Sequence, residues 1–249
     1  MGWLAVLAMG LVLGALGGGG GILTVPILVG LFGFSALEAT GGSLLVVGLA
    51  SSVGAVKGMI SKEIEWKAGL SLAVPSMIGA FSARLFVVPN IPDPVLGVAK
   101  DDLLLGTFAL VMILIGAKML LPEKAEPKVE TNQLKIALVG LVIGVVSGVL
   151  GAGGGFLILP ALTLLLGIEL KKAIPTSLLV ISLQSLVGFS GELTRPIQWS
   201  LLGGIVGVAM LGLVLGLLVR DKAPKDVLKS SFAVLVFLVA GWMIYRVLS

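Results

Sequence analysis

Gly17-Gly-Gly-Gly-Gly-Ile-Leu-Thr-Val-Pro26 and Gly151-Ala-Gly-Gly-Gly-Phe-Leu-Ile-Leu-Pro160 are two versions of one motif, 134 residues apart. Each lies inside a long run with no charged residue, 1–37 and 136–168. Clustered glycine breaks a helix, and in apolar sequence a break is expensive because freed backbone groups find no water to replace their partners. Two such breaks at equivalent places point to a binding site between two related halves.

Composition sets the class. Apolar residues make up 57% of the 249 and charged residues 12%, against roughly 25% charged in ordinary soluble domains. Mean hydropathy is +1.17. A soluble fold cannot hide that much apolar surface, so the chain reads as an all-α polytopic membrane protein in a lipid bilayer. Cysteine and histidine are absent, which removes thiol chemistry and most zinc, copper or haem sites, and no cofactor is expected. Met1 to Leu16 has no basic start, so no cleaved signal peptide is expected. The net charge of +4 is scattered over loops, without the basic stripe a nucleic-acid partner needs.

Charges mark the loops, since a charge at the bilayer centre is costly. Between them, six uncharged runs of 15 to 24 residues (39–56, 68–83, 103–117, 173–191, 196–219 and 230–245) suit single helices with snorkelling flanks. The two glycine-bearing runs do not. As one helix each would reach roughly 50 Å against a hydrocarbon core of about 30 Å, and as two full spans each is too short. Each is therefore a re-entrant hairpin or a broken pair that crosses once, with short segments at 2–16 and 22–33, and at 136–150 and 156–167. Lys/Arg excess on cytoplasmic loops favours the hairpin. If both pairs cross, the seventeen basic residues divide nine to eight; if both re-enter, thirteen share one side and only Arg84, Lys100, Arg195 and Arg246 lie opposite. Each half then has three spanning helices, so the halves insert as inverted-topology repeats with both termini outside.

At the offset of 134, Gly10, Gly14, Gly33 and Gly54 match Gly144, Gly148, Gly167 and Gly188. Ser43 matches Ser177 and Ser51 matches Ser185. The expected organisation is a first transmembrane repeat over 1–121, a charged cytoplasmic linker over 122–133, and a second repeat over 134–249. The linker carries Glu123, Lys124, Glu126, Lys128 and Glu130 with two prolines.

Glycine clusters leave amides free to point at a ligand, and a helix N-terminus with its positive dipole end attracts anions. Helices are expected to restart near Ile22 and Phe156, with Pro26 and Pro160 in or near their first turns. The expected site is a two-fold anion shell from the amides of Gly18, Gly19, Gly20, Gly21, Ala152, Gly153, Gly154 and Gly155. Hydroxyls of Ser43, Thr176 and Ser177 complete it, with Gln184 as a donor or an interhelical clamp. A serine in a membrane helix usually bonds its own backbone, but the pairing across the repeat raises Ser43/Ser177 and Ser51/Ser185 above that default. Proton coupling needs a titratable group near the helix bodies; Glu38 and Glu192 are the candidates, though Glu192 also suits a local pair with Arg195. No nucleophile–base pair or metal-ligand cluster occurs, so no enzyme activity and no metal are expected.

The glycine strings closing on Pro26 and Pro160, followed by Ala39-Thr-Gly-Gly-Ser-Leu44 and Ala173-Ile-Pro-Thr-Ser-Leu178, resemble the TauE/SafE family of sulfite exporters over essentially the whole chain. The resemblance implies a secondary transporter in the inner membrane for sulfite, sulfonates or related sulfur oxyanions, with one half rocking against the other. The family pattern has Gly-Thr-Ser-Leu in the second motif; here Gly42 takes the threonine's place in the first half, and Pro175 precedes Thr176 in the second. An anion channel, an importer of a related sulfur compound and a non-transporting assembly protein remain alternatives. A homo-oligomer and proton coupling also stay open.

Overall fold

The computed structural model describes residues 1–94, 98–120, 132–193, 195, 197–219 and 237–245, and its elements are helical. Residues 122–131 of the expected linker lie outside the described residues, as do the basic loop 220–229 and Arg246.

Helix α1 (Gly2–Leu16) ends on Gly17, whose φ of 66° lets its N–H turn back to Leu13 O. A 3-10 turn (Gly19–Leu23) leads into α2 (Thr24–Phe32), closed by Gly33 at φ 73°. The Trp3 ring stands edge-on to Phe32 at 5.3 Å, so α1 begins where α2 ends and the pair is a hairpin. An arm of 15 residues rises about 22 Å, short of a bilayer core.

The equivalent segment of the C-terminal half differs in two ways. Helix α7 (Gln133–Leu150) starts three residues before the expected 136, because the Asn132 side chain accepts from Leu134 N and Lys135 N and caps it. Lys135 does not stop this helix, since a lysine in a first turn extends its ammonium outward. At 18 residues α7 is long enough to cross a membrane. Asn132 and Gln133, placed in the linker by sequence, thus belong to the cap and first turn of α7. Beyond Gly151, α8 (Gly155–Pro160) widens into a π turn (Ala161–Leu165). Pro160 closes α8 rather than opening it, and the turn after a residue without an N–H relaxes its hydrogen bonding. Pro26 does fall in the first turn of α2.

Helix α3 (Ala36–Ile60) opens on a capping box between Ser35 and Glu38. Helix α4 (Trp66–Ser82) continues through a π turn (Ala83–Val87) into α5 (Val88–Asn90). Then follow α6 (Lys100–Leu120), α9 (Leu170–Ser190), α10 (Trp199–Val219) and a helical stretch over 237–245. Among the described residues five helices are long and apolar enough to cross a membrane: α3, Trp66–Asn90, α7, α9 and α10. Leu70, Val74 and Ile78 on α4, Leu138 and Val142 on α7, and Leu211, Leu215 and Leu218 on α10 are exposed, as lipid-facing positions must be.

Packing crosses between the halves. Helix α1 lies along α10 and α7 along α4, both pairs parallel, with small residues at the seam. A Cβ on Gly10 or Gly14 would stand 2.3 or 2.2 Å from Ala209 O or Leu213 O, and one on Gly212 or Gly216 just over 2 Å from Leu7 O or Leu11 O. On the other pair, Gly144 would meet Ser76 O at 2.1 Å and Gly79 would meet Leu141 O at 2.4 Å. Backbones this close exchange extensive van der Waals contact, the main attraction between helices in lipid. At the centre α3 and α9 run antiparallel, with Leu44 against Gly188, Gly48 against Leu186, Gly54 against Leu178 and Gly58 against Pro175. The midpoint of that register is Leu49 beside Leu183.

Gly144→Val should therefore lower the melting temperature of the detergent-solubilised protein by the equivalent of about 1–3 kcal/mol or more. Gly207→Ala, with nothing within 4 Å of the new methyl, should leave it unchanged or raise it. Thermal unfolding monitored by circular dichroism checks both.

Candidate functional site

The two glycine segments lie against one another, buried and antiparallel. A Cβ on Gly18 would be 2.7 Å from Gly155 O, one on Gly155 2.5 Å from Gly18 Cα, and one on Gly21 2.8 Å from Ala152 O. Only residues without side chains allow that approach. The segments differ in detail. Gly17 and Gly151 both cap their helices in the left-handed region, at φ 66° and 72°. Gly19 to Gly21 then enter the 3-10 turn, whereas Gly153 and Gly154 stay at φ 66° and 64°. Helical structure thus resumes at Gly155, next to the expected Phe156, and at Gly19, three residues ahead of the expected Ile22.

Each segment is held by the opposite half. Ser43 on α3 donates to Gly151 O, and Ser177 on α9 donates to Gly17 O. The two bonds are equivalent at the offset of 134. Each hydroxyl also stands near a carbonyl three residues back, Thr40 O at 3.1 Å and Ile174 O at 2.7 Å. The contacts around them match as well: a Cβ on Gly151 would meet Thr40 O, and one on Gly17 would meet Ile174 Cα. Since Ser43 and Ser177 lie about six residues from the α3/α9 midpoint, each tip reaches roughly 9 Å past the centre. The hairpins pass alongside one another rather than meeting end to end.

The remaining expected residues divide. Gln184 is fully buried; its Nε2 donates to Gly153 O and to Ser147 Oγ at 3.1 Å, clamping the second segment to α9 and α7. Its Oε1 has no partner among the described residues. Thr176 lies away from the glycines, donating to Lys172 O at 2.6 Å and accepting from Glu65 N at 3.0 Å, next to the exposed Glu65–Lys172 pair. Ser147 was passed over in the sequence because its counterpart at the offset is Leu13, which hides it from a search for matched polar residues.

Sequence reasoning also missed a buried charge cluster. Arg84, in the π turn after α4, is fully buried and pairs through Nη1 with Glu192 Oε1 at 2.9 Å. Its Nη2 reaches Val149 O at 3.5 Å. Arg195 completes the cluster, 3.2 Å from Glu192 Oε2, so the expected local pair exists but is half of a larger one. Glu192, Arg195, Gln198, Glu38, Gly41 and Gly42 line a cleft of about 160 Å³. Glu38 is engaged there by Ser35 N and Oγ, each at 3.0 Å. Arg84→Leu should cost about 3–5 kcal/mol by leaving a buried carboxylate with one partner, and Arg84→Leu with Glu192→Leu should recover part of that loss. Chemical unfolding of the single and double variants checks the sign of the recovery.

The chain matches the family described as "Sulfite exporter TauE/SafE" over residues 3–243. A "Probable membrane transporter protein" of Xylella fastidiosa (strain Temecula1) is 29% identical over 96% of this chain and 92% of its own length. The "Probable membrane transporter protein YunE" of Bacillus subtilis is 27% identical over 99% of this chain and 98% of its own. YdhB of the same organism, also named a probable membrane transporter, is 28% identical over 92% and 93%. No solved structure matches. With the match running through both glycine hairpins and every described spanning helix, this multi-pass membrane protein belongs to the TauE/SafE sulfite exporter family, a family of transporters and not of enzymes.

Proposed function

We propose that the chain is a secondary transporter that exports a small sulfur-containing anion, sulfite in the first instance, across the inner membrane. The observation that carries this reading is the antiparallel pairing of two glycine segments, each tied to the opposite half by a serine. Amides of Gly18–Gly21 and Ala152–Gly155 form the shell, and Ser43, Ser177 and Gln184 hold those segments in place. Backbone amides suit an anion because they donate without a counter-charge, and the first turns after Gly19 and Gly155 add their dipoles. The segments touch, so the anion enters only when they part.

Two related halves, 1–121 and 134–249, inserted in opposite senses, account for this geometry. The antiparallel α3/α9 pair and the parallel α1/α10 and α4/α7 pairs support that organisation. Because α1 packs on α10 and α7 on α4, the bodies that part are these cross-half pairs rather than the two halves of the sequence. The Trp3–Phe32 contact supports a hairpin that enters and leaves on one side.

In proteoliposomes, labelled sulfite or a sulfonate should move with saturable kinetics, and sulfate should compete weakly. Gly21→Val, which drives a methyl into Ala152 O, should cut that flux about tenfold or more. Flux that never saturates would favour a channel, and none at all would sink the transport reading. For topology, the cysteine-free chain allows Lys171→Cys and Gln198→Cys, both at exposed positions. An impermeant maleimide should reach Lys171→Cys from the cytoplasmic side and Gln198→Cys from outside; labelling of Lys171→Cys from outside would overturn the re-entrant, inverted arrangement.

A further inference from the structure

Two serines at equivalent positions have no hydrogen-bond partner among the described residues. Ser51 on α3 and Ser185 on α9 are both fully buried, and neither hydroxyl bonds to any described residue. That departs from the behaviour of their neighbours. Ser52, Ser71, Ser76 and Ser190 each donate to the carbonyl three residues back, at 2.6 to 2.9 Å, the ordinary outlet for a helical serine in apolar surroundings. An unsatisfied buried hydroxyl is costly, and here the cost recurs at the same place in both halves.

Position on the helix says what the pair faces. Ser43, Val47 and Ser51 follow at four-residue steps, as do Ser177, Ile181 and Ser185, so each trio shares a helix face. Ser43 and Ser177 are spent on the glycine carbonyls. Val47 and Ile181 touch the glycines themselves: a Cβ on Gly153 would stand 2.5 Å from Val47 Cγ1, and one on Gly155 2.7 Å from Ile181 Cδ1. The same Cβ on Gly153 would be 3.2 Å from Ser185 Oγ. Ser51 and Ser185 therefore occupy the loop-facing stripes of α3 and α9, two residues beyond the Leu49/Leu183 midpoint on either side.

We propose that Ser51 and Ser185 are the hydroxyl donors that receive the transported anion, one from each half, while Ser43 and Ser177 only position the loops. This rests on the anion-transport reading and names the residues that set its affinity. Two neutral donors beside the glycine segments fit an oxyanion with several acceptor atoms, such as sulfite or the head of a sulfonate. One donor on each of two antiparallel helices also lets the anion bias both sides of the pseudo-two-fold arrangement together.

The proposal separates the two serine pairs by opposite behaviour. Ser51→Ala and Ser185→Ala should each raise the KM for sulfite efflux from proteoliposomes about tenfold or more, and the double variant should raise it multiplicatively. Their melting temperatures should hold or rise, because an unpartnered hydroxyl is removed. Ser43→Ala and Ser177→Ala should instead lower the melting temperature through the lost cross-half bonds. Sulfite added to the solubilised full chain should raise the melting temperature of the wild type and fail to raise that of Ser51→Ala with Ser185→Ala. Wild-type KM and an undiminished sulfite shift in the double variant would overturn the proposal and leave the transport reading standing. Absence of any flux in the wild type would remove both.

Discussion

Backbone-to-backbone contact between the two glycine segments is the constraint on which the rest of the molecule depends. Gly18 against Gly155 and Gly21 against Ala152 leave no space for a side chain, so the motif must be glycine-rich wherever the segments pass. Contact of this kind also frees peptide groups deep among helices, and each must find a partner that is not water. The carbonyls of Gly17 and Gly151 find theirs in serines of the opposite half, and Gln184 serves Gly153. The unusual dihedrals, the matched serines and the buried amide are consequences of one close approach.

That approach is sustained from outside by the parallel seams of α1 with α10 and α4 with α7. Small residues on both seams bring backbones together, giving contact energy without any apolar driving force from water. The seams interleave the halves, so neither hairpin is carried by the helices that follow it in sequence. A shift of α10 moves the first glycine segment, and a shift of α4 moves the second. The two glycine segments are thereby tied to one another through helices of both halves.

Much of this was legible in the sequence because glycine is conspicuous where it is costly. The offset of 134, the pairing of Ser43 with Ser177 and the hairpin reading of 1–37 all follow from residues that apolar sequence would not otherwise contain. The start of α7 was missed because Lys135 was read as a boundary, although Asn132 supplied a cap signal ahead of it. In the sequence Arg84 is only one of the four basic residues assigned to the outer side. Its partner is 108 residues away, and a long-range ion pair leaves no local periodicity to detect. Nor could sequence tell an engaged serine from an unengaged one, since Ser43 and Ser51 share a helix face and differ only in what approaches them.

The charge cluster has no twin. At the offset of 134, Arg84 corresponds to Leu218, Glu192 to Gly58 and Arg195 to Ser61, and the opposite end of the bundle has instead the exposed Lys172–Glu65 pair. A buried ion pair resists separation far more than one that water can replace. The two ends of the molecule are therefore held with unequal strength, the end where α4 meets the C-terminus of α9 more firmly than the end where α9 begins.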